Sequence, residues 1–176
     1  GNLPKALEIY EDLANSYSNK QDKLSVQYIM LSNNLASTYY KLGDHKKALT
    51  IRLESLEIAS EVMGEKHPLY GRILSILAND YNSLGNDSMA FRSANRAVKI
   101  LESSLGENHP ETLSTKSTLA KLLINQNEIG YDDQYKSLEI NQKVLIAQEK
   151  KLGKDHPSYA NTLFNLAENY FSLGKY

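Results

Sequence analysis

Gly64-Glu65-Lys66-His67-Pro68, Gly106-Glu107-Asn108-His109-Pro110 and Gly153-Lys154-Asp155-His156-Pro157 are three versions of one phrase. Their histidines stand 42 and then 47 residues apart. The five extra residues fall near Asn127 to Asp133, a Gly-containing acidic stretch that reads as a lengthened loop. Repetition at a fixed interval of this size marks a repeat architecture.

Working outward, a second signal keeps the same period. Leu35-Ala36, Leu77-Ala78, Leu119-Ala120 and Leu166-Ala167 hold matching places. Four residues past each leucine come Tyr39, Tyr81, Leu123 and Tyr170, and then Leu42-Gly43, Leu84-Gly85 and Leu173-Gly174. Ala48, Ala90 and Ser137 continue the register. Between these marks the apolar spacing is helical: Ile73, Leu74, Leu77, Ala78, Tyr81 and Leu84 recur at three and four, as do Ala90, Ala94, Ala97, Val98 and Leu101. One helix is predicted between Pro68 and Gly85, and a second from about Asp87 to Leu105. Gly85 stands where the first must stop and turn.

The Gly-x-x-His-Pro phrase then has a mechanical reading. Glycine ends one helix, and proline occupies the first turn of the next, where a missing N–H is harmless. The residue before proline is pushed to extended geometry. Glu111 falls in a first turn, where the helix dipole favours it. In the earliest repeat Ser25-Val26 replaces His-Pro, and a serine cap does the same job.

These marks resemble the tetratricopeptide family. The small Ala after Leu, the aromatic that follows and the Leu-Gly after it are similar to the first helix of that repeat, and Ala48 and Ala90 to its close-packing site on the second. The 42-residue period with Leu-Gly-x-x-His-Pro resembles the long repeats of kinesin light chain and of many bacterial proteins. Departures lie at Ser25-Val26, at the insert around Gly130 and at Ser137. The resemblance implies an all-α, right-handed superhelical solenoid of antiparallel helix pairs. On this reading residues 1–20 carry a second helix (Ala6, Leu7, Ile9, Tyr10, Leu13, Ala14), and residues 21–63, 64–105 and 106–152 form three pairs. Residues 153–176 carry a first helix. The chain is expected to be one repeat domain from a longer protein, with apolar surface at both ends through which oligomerisation is expected to be possible.

Composition narrows the function. With 20 basic and 21 acidic residues no strong field exists to attract nucleic acid or an anionic membrane. No cysteine is present, so disulfides and thiolate metal sites are excluded. No apolar run approaches the ~18 residues that span a bilayer, and no basic-plus-apolar leader is expected; the cytoplasm is taken as the default compartment. His67, His109 and His156 invite a metal or acid–base reading. Equivalent positions of a solenoid are spread along its axis, however, so they read as helix-start residues. His45 stands alone in a turn. Asp132-Asp133 read as cap and dipole residues at the start of a second helix, and Lys46-Lys47 and Lys150-Lys151 as solvated runs. No nucleophile motif and no Gly-rich phosphate loop occurs. No enzyme, metal or cofactor is expected.

In the tetratricopeptide family the first helices line a concave groove, and asparagine just before Leu-Ala is associated with gripping a peptide backbone. The matching positions are Asn34, Ile76, Thr118 and Asn165. Four residues earlier stand Met30, Arg72, Ser114 and Asn161; three later, Ser37, Asn79, Lys121 and Glu168; seven later, Lys41, Ser83, Asn125 and Ser172. Amide side chains donate and accept together, which suits an extended backbone. Lys41, Arg72 and Lys121 against Glu168 predict a modestly positive groove favouring an acidic segment. The expected function is therefore a protein-interaction module whose partner is a protein or peptide bound by Asn34, Ser37, Lys41, Arg72, Asn79, Ser114, Lys121, Asn125, Asn161 and Asn165. Two other readings remain open: a regulatory or sensor arm of a larger enzyme such as a caspase-like protease or signalling ATPase, and a self-assembling scaffold.

Overall fold

The computed structural model describes residues 2–124 and 131–174. Among them every regular element is a helix and no strand occurs. In chain order these are α1 (Leu3–Asn15), α2 (Lys20–Lys23), α3 (Val26–Lys41), α4 (His45–Met63), α5 (Pro68–Ser83), α6 (Asp87–Leu105), α7 (Pro110–Ile124), α8 (Tyr131–Leu152) and α9 (Pro157–Ser172). They pack as antiparallel pairs, α3 with α4, α5 with α6 and α7 with α8. Each pair stacks on the next through α4 on α5, α6 on α7 and α8 on α9, while α1 lies on α3. The all-helical repeat fold expected from the register is the one observed. The one-turn α2 has no counterpart in the periodic reading. It forms because Asn19 accepts the N–H of Asp22 at 2.9 Å, a local cap in a segment too short and polar to carry a period.

Helix starts are made by the repeated phrase. The imidazole Nδ1 of His67 accepts the N–H of Leu69 at 3.1 Å, His109 that of Glu111 at 3.3 Å, and His156 that of Ser158 at 3.1 Å. Each histidine thus answers one of the amide donors that a helix leaves unpaired at its start. His67 and His156 are extended, with ψ of 139° and 134°. Ser25 does the equivalent work for α3, accepting the N–H of Tyr28 at 3.2 Å. Before the phrase, Gly64 (φ 81°, ψ 158°) and Gly106 (φ 92°, ψ 155°) end α4 and α6. That region of backbone space belongs essentially to glycine, so no side-chain-bearing residue substitutes there without strain.

Within each pair the helices touch at the small residues of the register. Ala36, Ala48, Ala78, Ala90, Ala120 and Ser137 are all at 0% exposure. Ser137, the departure from alanine, is accommodated because its Oγ donates to the carbonyl of Ala120 at 2.7 Å and accepts from Asn169 Nδ2 at 2.8 Å. Gly71 gives α5 and α6 a second close approach: a Cβ there would stand 3.0 Å from Ile100 Cγ2 and 3.1 Å from Leu101 Cγ. Around these contacts lies one apolar core running from α3 to α6, with Ile29, Ile58, Ile73, Leu74 and Leu77 buried in it. Ala167 is exposed, unlike its counterparts, because no described helix packs on that side of α9. At the two ends Ile9 and Leu13 of α1, and Leu163, Phe164 and Phe171 of α9, are exposed.

Between pairs the junctions differ in chemistry at one shared place. At α4 on α5, Arg52 Nε donates to Asp80 Oδ2 at 2.6 Å, and both side chains are 1% exposed. The equivalent residues of α6 on α7 are Ala94 and Leu122, buried in one apolar cluster. At α8 on α9 they are Asn141 and Asn169, with Asn141 Nδ2 donating to Asn169 Oδ1 at 2.8 Å. Burial pushes the Asp80 carboxyl up and the Arg52 guanidinium down, each opposed by the other's charge.

Two outcomes follow for stability. Asp80→Ala strands a buried guanidinium and should cost about 3–5 kcal/mol in urea denaturation. The double change Arg52→Ala with Asp80→Leu, which copies Ala94 and Leu122, should cost clearly less than Asp80→Ala alone. Likewise His67→Ala should cost roughly 1 kcal/mol, the usual worth of an N-cap, whereas His67→Asn, which offers an oxygen to the same N–H, should retain most of it.

Candidate partner-binding trough

The first helices α3, α5, α7 and α9 lie side by side and are tied by hydroxyl contacts. Tyr40 Oη and Ser83 Oγ are 2.7 Å apart, Ser75 Oγ and Thr115 Oγ1 2.9 Å, and Ser117 Oγ and Thr162 Oγ1 3.1 Å. Where neighbouring first helices part, three clefts open along the row. One lies between α3 and α5, about 290 Å³, with Ser37, Lys41 and Asn79 on its walls. The second lies between α5 and α7, about 200 Å³, with Arg72 and Ser114. The third, about 170 Å³, lies between α7 and α9 with α5 at its edge and carries Asn79, Ser114, Lys121, Asn161 and Asn165. Sites for whole small molecules are typically ~300–1,000 Å³, so each cleft is sized for one or two side chains of a longer ligand. A wider cleft of about 670 Å³ lies between α7 and α8. It includes none of the first-helix stripe, and two of its lysines are engaged: Lys116 with Glu102 and Lys143 with Glu139.

Of the ten residues named from the sequence, eight line these clefts. Asn34 is exposed on α3 but lines none of the three. Asn125 lies outside the described residues, as does most of the insert around Gly130. One electrostatic expectation needs correction. Arg72 is not a free groove cation: its Nε and Nη2 reach the two carboxylate oxygens of Glu111 at 3.0 and 2.5 Å. That fork cancels the charge of Arg72 across the second cleft, leaving Lys41 and Lys121 as the cations of the row among the described residues. Ile76, in the asparagine column, gives the first two clefts an apolar wall.

Sequence reasoning missed the residues that reach the clefts from behind. Arg52 and Asp80 floor the first cleft, Leu101 the second and Gln148 the third. Arg52, Leu101 and Gln148 sit on second helices, outside the first-helix face. A signal was present, since Gln148 occupies the column of Ala59 and Leu101, where a polar side chain breaks an apolar series. The histidines of the repeated phrase are caps, and among the described residues no group of His, Asp and Glu is arranged to hold a metal ion. Asp132 and Asp133 lie in the first turn of α8 and pair with Lys136 at 2.6 and 3.6 Å. Among the described residues no helix is long and apolar enough to cross a membrane.

Residues 27–103 match the model of the tetratricopeptide repeat family. No curated protein matches the chain. Among solved structures, it is similar to a kinesin-light-chain-like protein from Podosopora anserina with nearly identical TPR-like repeats. The TM-score is 0.78 at 22% identity, covering 99% of this chain and 81% of that one. It is also similar to BtubC (BKLC) from P. vanneervenii, with a TM-score of 0.82 at 19% identity over 99% of this chain and 68% of that one. Identity at this level speaks for the fold. Residues 27–103 are thus tetratricopeptide repeats by sequence, and the helix pairs around them continue a fold similar to that of kinesin-light-chain-like repeat proteins.

Proposed function

We propose that the chain binds an extended peptide or the edge of a partner domain along the row of first helices, and that its role is capture rather than catalysis. The observation that supports this is the third cleft, whose walls are almost wholly amides and hydroxyls on rigid helices. Amides that donate and accept together match the alternating N–H and C=O of an extended backbone. Helices hold such groups more firmly than loops do. The acidic preference of the partner rests on Lys41 and Lys121 alone, because Glu111 engages Arg72. An exposed lysine contributes modestly and in a salt-dependent way, so backbone contacts supply the larger share of recognition.

The test uses the 176-residue chain as bait for a phage-displayed library of random linear peptides. A variant carrying Asn79→Ala, Lys121→Ala and Asn161→Ala together should lose enrichment of the peptides selected by the parent chain. Its far-UV circular dichroism should be unchanged, since these side chains are exposed and pack no core. Retention of the same peptides at the same affinity would place binding elsewhere.

A further inference from the structure

Gln148 belongs to α8, a second helix, yet its side chain forms part of the floor of the third cleft. It is 1% exposed, and its Oε1 has no hydrogen-bond partner. A buried amide oxygen without a donor is unfavourable, and such an atom calls for a reason. Its counterparts in the two preceding repeats are Leu101 and Ala59, both at 0% exposure, and Leu101 floors the second cleft. The column is apolar, then, except where it meets the cleft walled by Asn79, Thr118, Asn161 and Asn165. Lys121 is the single charged side chain there among the described residues.

We propose that this cleft is a specificity pocket for an uncharged amide side chain, Asn or Gln, of the bound peptide, with Gln148 as the residue that reads it. The inference rests on the trough reading above and adds what one position of the partner must be. With the Gln148 amide turned so that its oxygen faces the cleft, an incoming amide donates its NH₂ to that oxygen and accepts at its carbonyl from Lys121 or a wall amide. Because it both donates and accepts, it satisfies Gln148 in either orientation of that residue's own amide. A carboxylate brings no donor and sets its charge against Oε1. An ammonium crowds a second cation beside Lys121, and an aliphatic side chain leaves Oε1 unanswered. The volume of about 170 Å³ admits one such side chain and little more.

The same peptide library decides it, with residue frequencies at each peptide position as the readout. The parent chain should favour Asn or Gln over Leu or Asp at one fixed position by roughly tenfold, the discrimination one buried hydrogen bond supplies. Gln148→Leu, which copies Leu101, should move that same position to aliphatic residues while leaving preferences elsewhere intact. Gln148→Met, close in length and lacking only the amide, repeats the test should the leucine variant melt early. A parent chain with no Asn or Gln preference, or one that survives in both variants, overturns the proposal and assigns Gln148 to a trapped water. In that case selection still abolished by the Asn79, Lys121 and Asn161 changes leaves the trough reading standing, whereas selection indifferent to those changes removes both.

Discussion

The fold depends on how closely two helices of a pair can approach. Every pair meets at small residues with no accessible surface: Ala36 and Ala48, Ala78 and Ala90, Ala120 and Ser137. A bulkier side chain at any of them would push the helices apart, and the pair would lose the packing of the large residues on either side. Because each pair is held together in the same way, the pairs have nearly the same shape and stack in series. The row of first helices, and the clefts along it, follow from that one repeated contact.

Stacking alone does not say which pair should lie beside which. The junction chemistry does. Arg52 meets Asp80 as a buried ion pair, Ala94 meets Leu122 in an apolar cluster, and Asn141 meets Asn169 as an amide pair. All three contacts occupy the same place in the repeat. Exchanging neighbours would set a guanidinium against Leu122 or a carboxylate against Ala94, and either leaves a buried charge unpaired. Such pairs contribute little net stability, because desolvation opposes them. Their value lies in making wrong stackings of similar modules unfavourable.

What the sequence makes legible is what repeats. The period exposes the helix pairs, the small contact residues and the phrase that starts each first helix, since every copy is an independent sample of one physical demand. The clefts are less legible because they depend on differences between copies and on contacts across long separations. Arg72 and Glu111 lie 39 residues apart and on different helices, and nothing in the spacing announces that one neutralises the other. The floors were hidden for a related reason. Arg52, Leu101 and Gln148 stand on second helices, outside the face that the family's groove directs attention to. Yet comparison by column rather than by face isolates Gln148, a polar residue in an otherwise apolar series. It also sets Arg52 beside Ala94 and Asn141, three side chains of different chemistry at one place. The one-turn α2 has no periodic basis at all and rests on the single cap from Asn19.

That contrast between columns bears on how a uniform scaffold recognises anything particular. If every cleft were equivalent, a bound peptide could slide by one repeat or lie in either direction at little cost. Here the three floors differ: an ion pair behind the first cleft, Leu101 behind the second, and Gln148 behind the third. On the peptide-binding reading proposed above, a ligand shifted by one cleft would present an apolar group to an unpaired amide oxygen, or a polar group to leucine, and would lose a buried interaction each time. On that same reading, the direction and register of a bound segment would be set largely by residues of the second helices, Arg52, Leu101 and Gln148, while the first helices would supply contacts available at any register. Repetition gives the trough its length, and the departures from repetition at its floor give it an order.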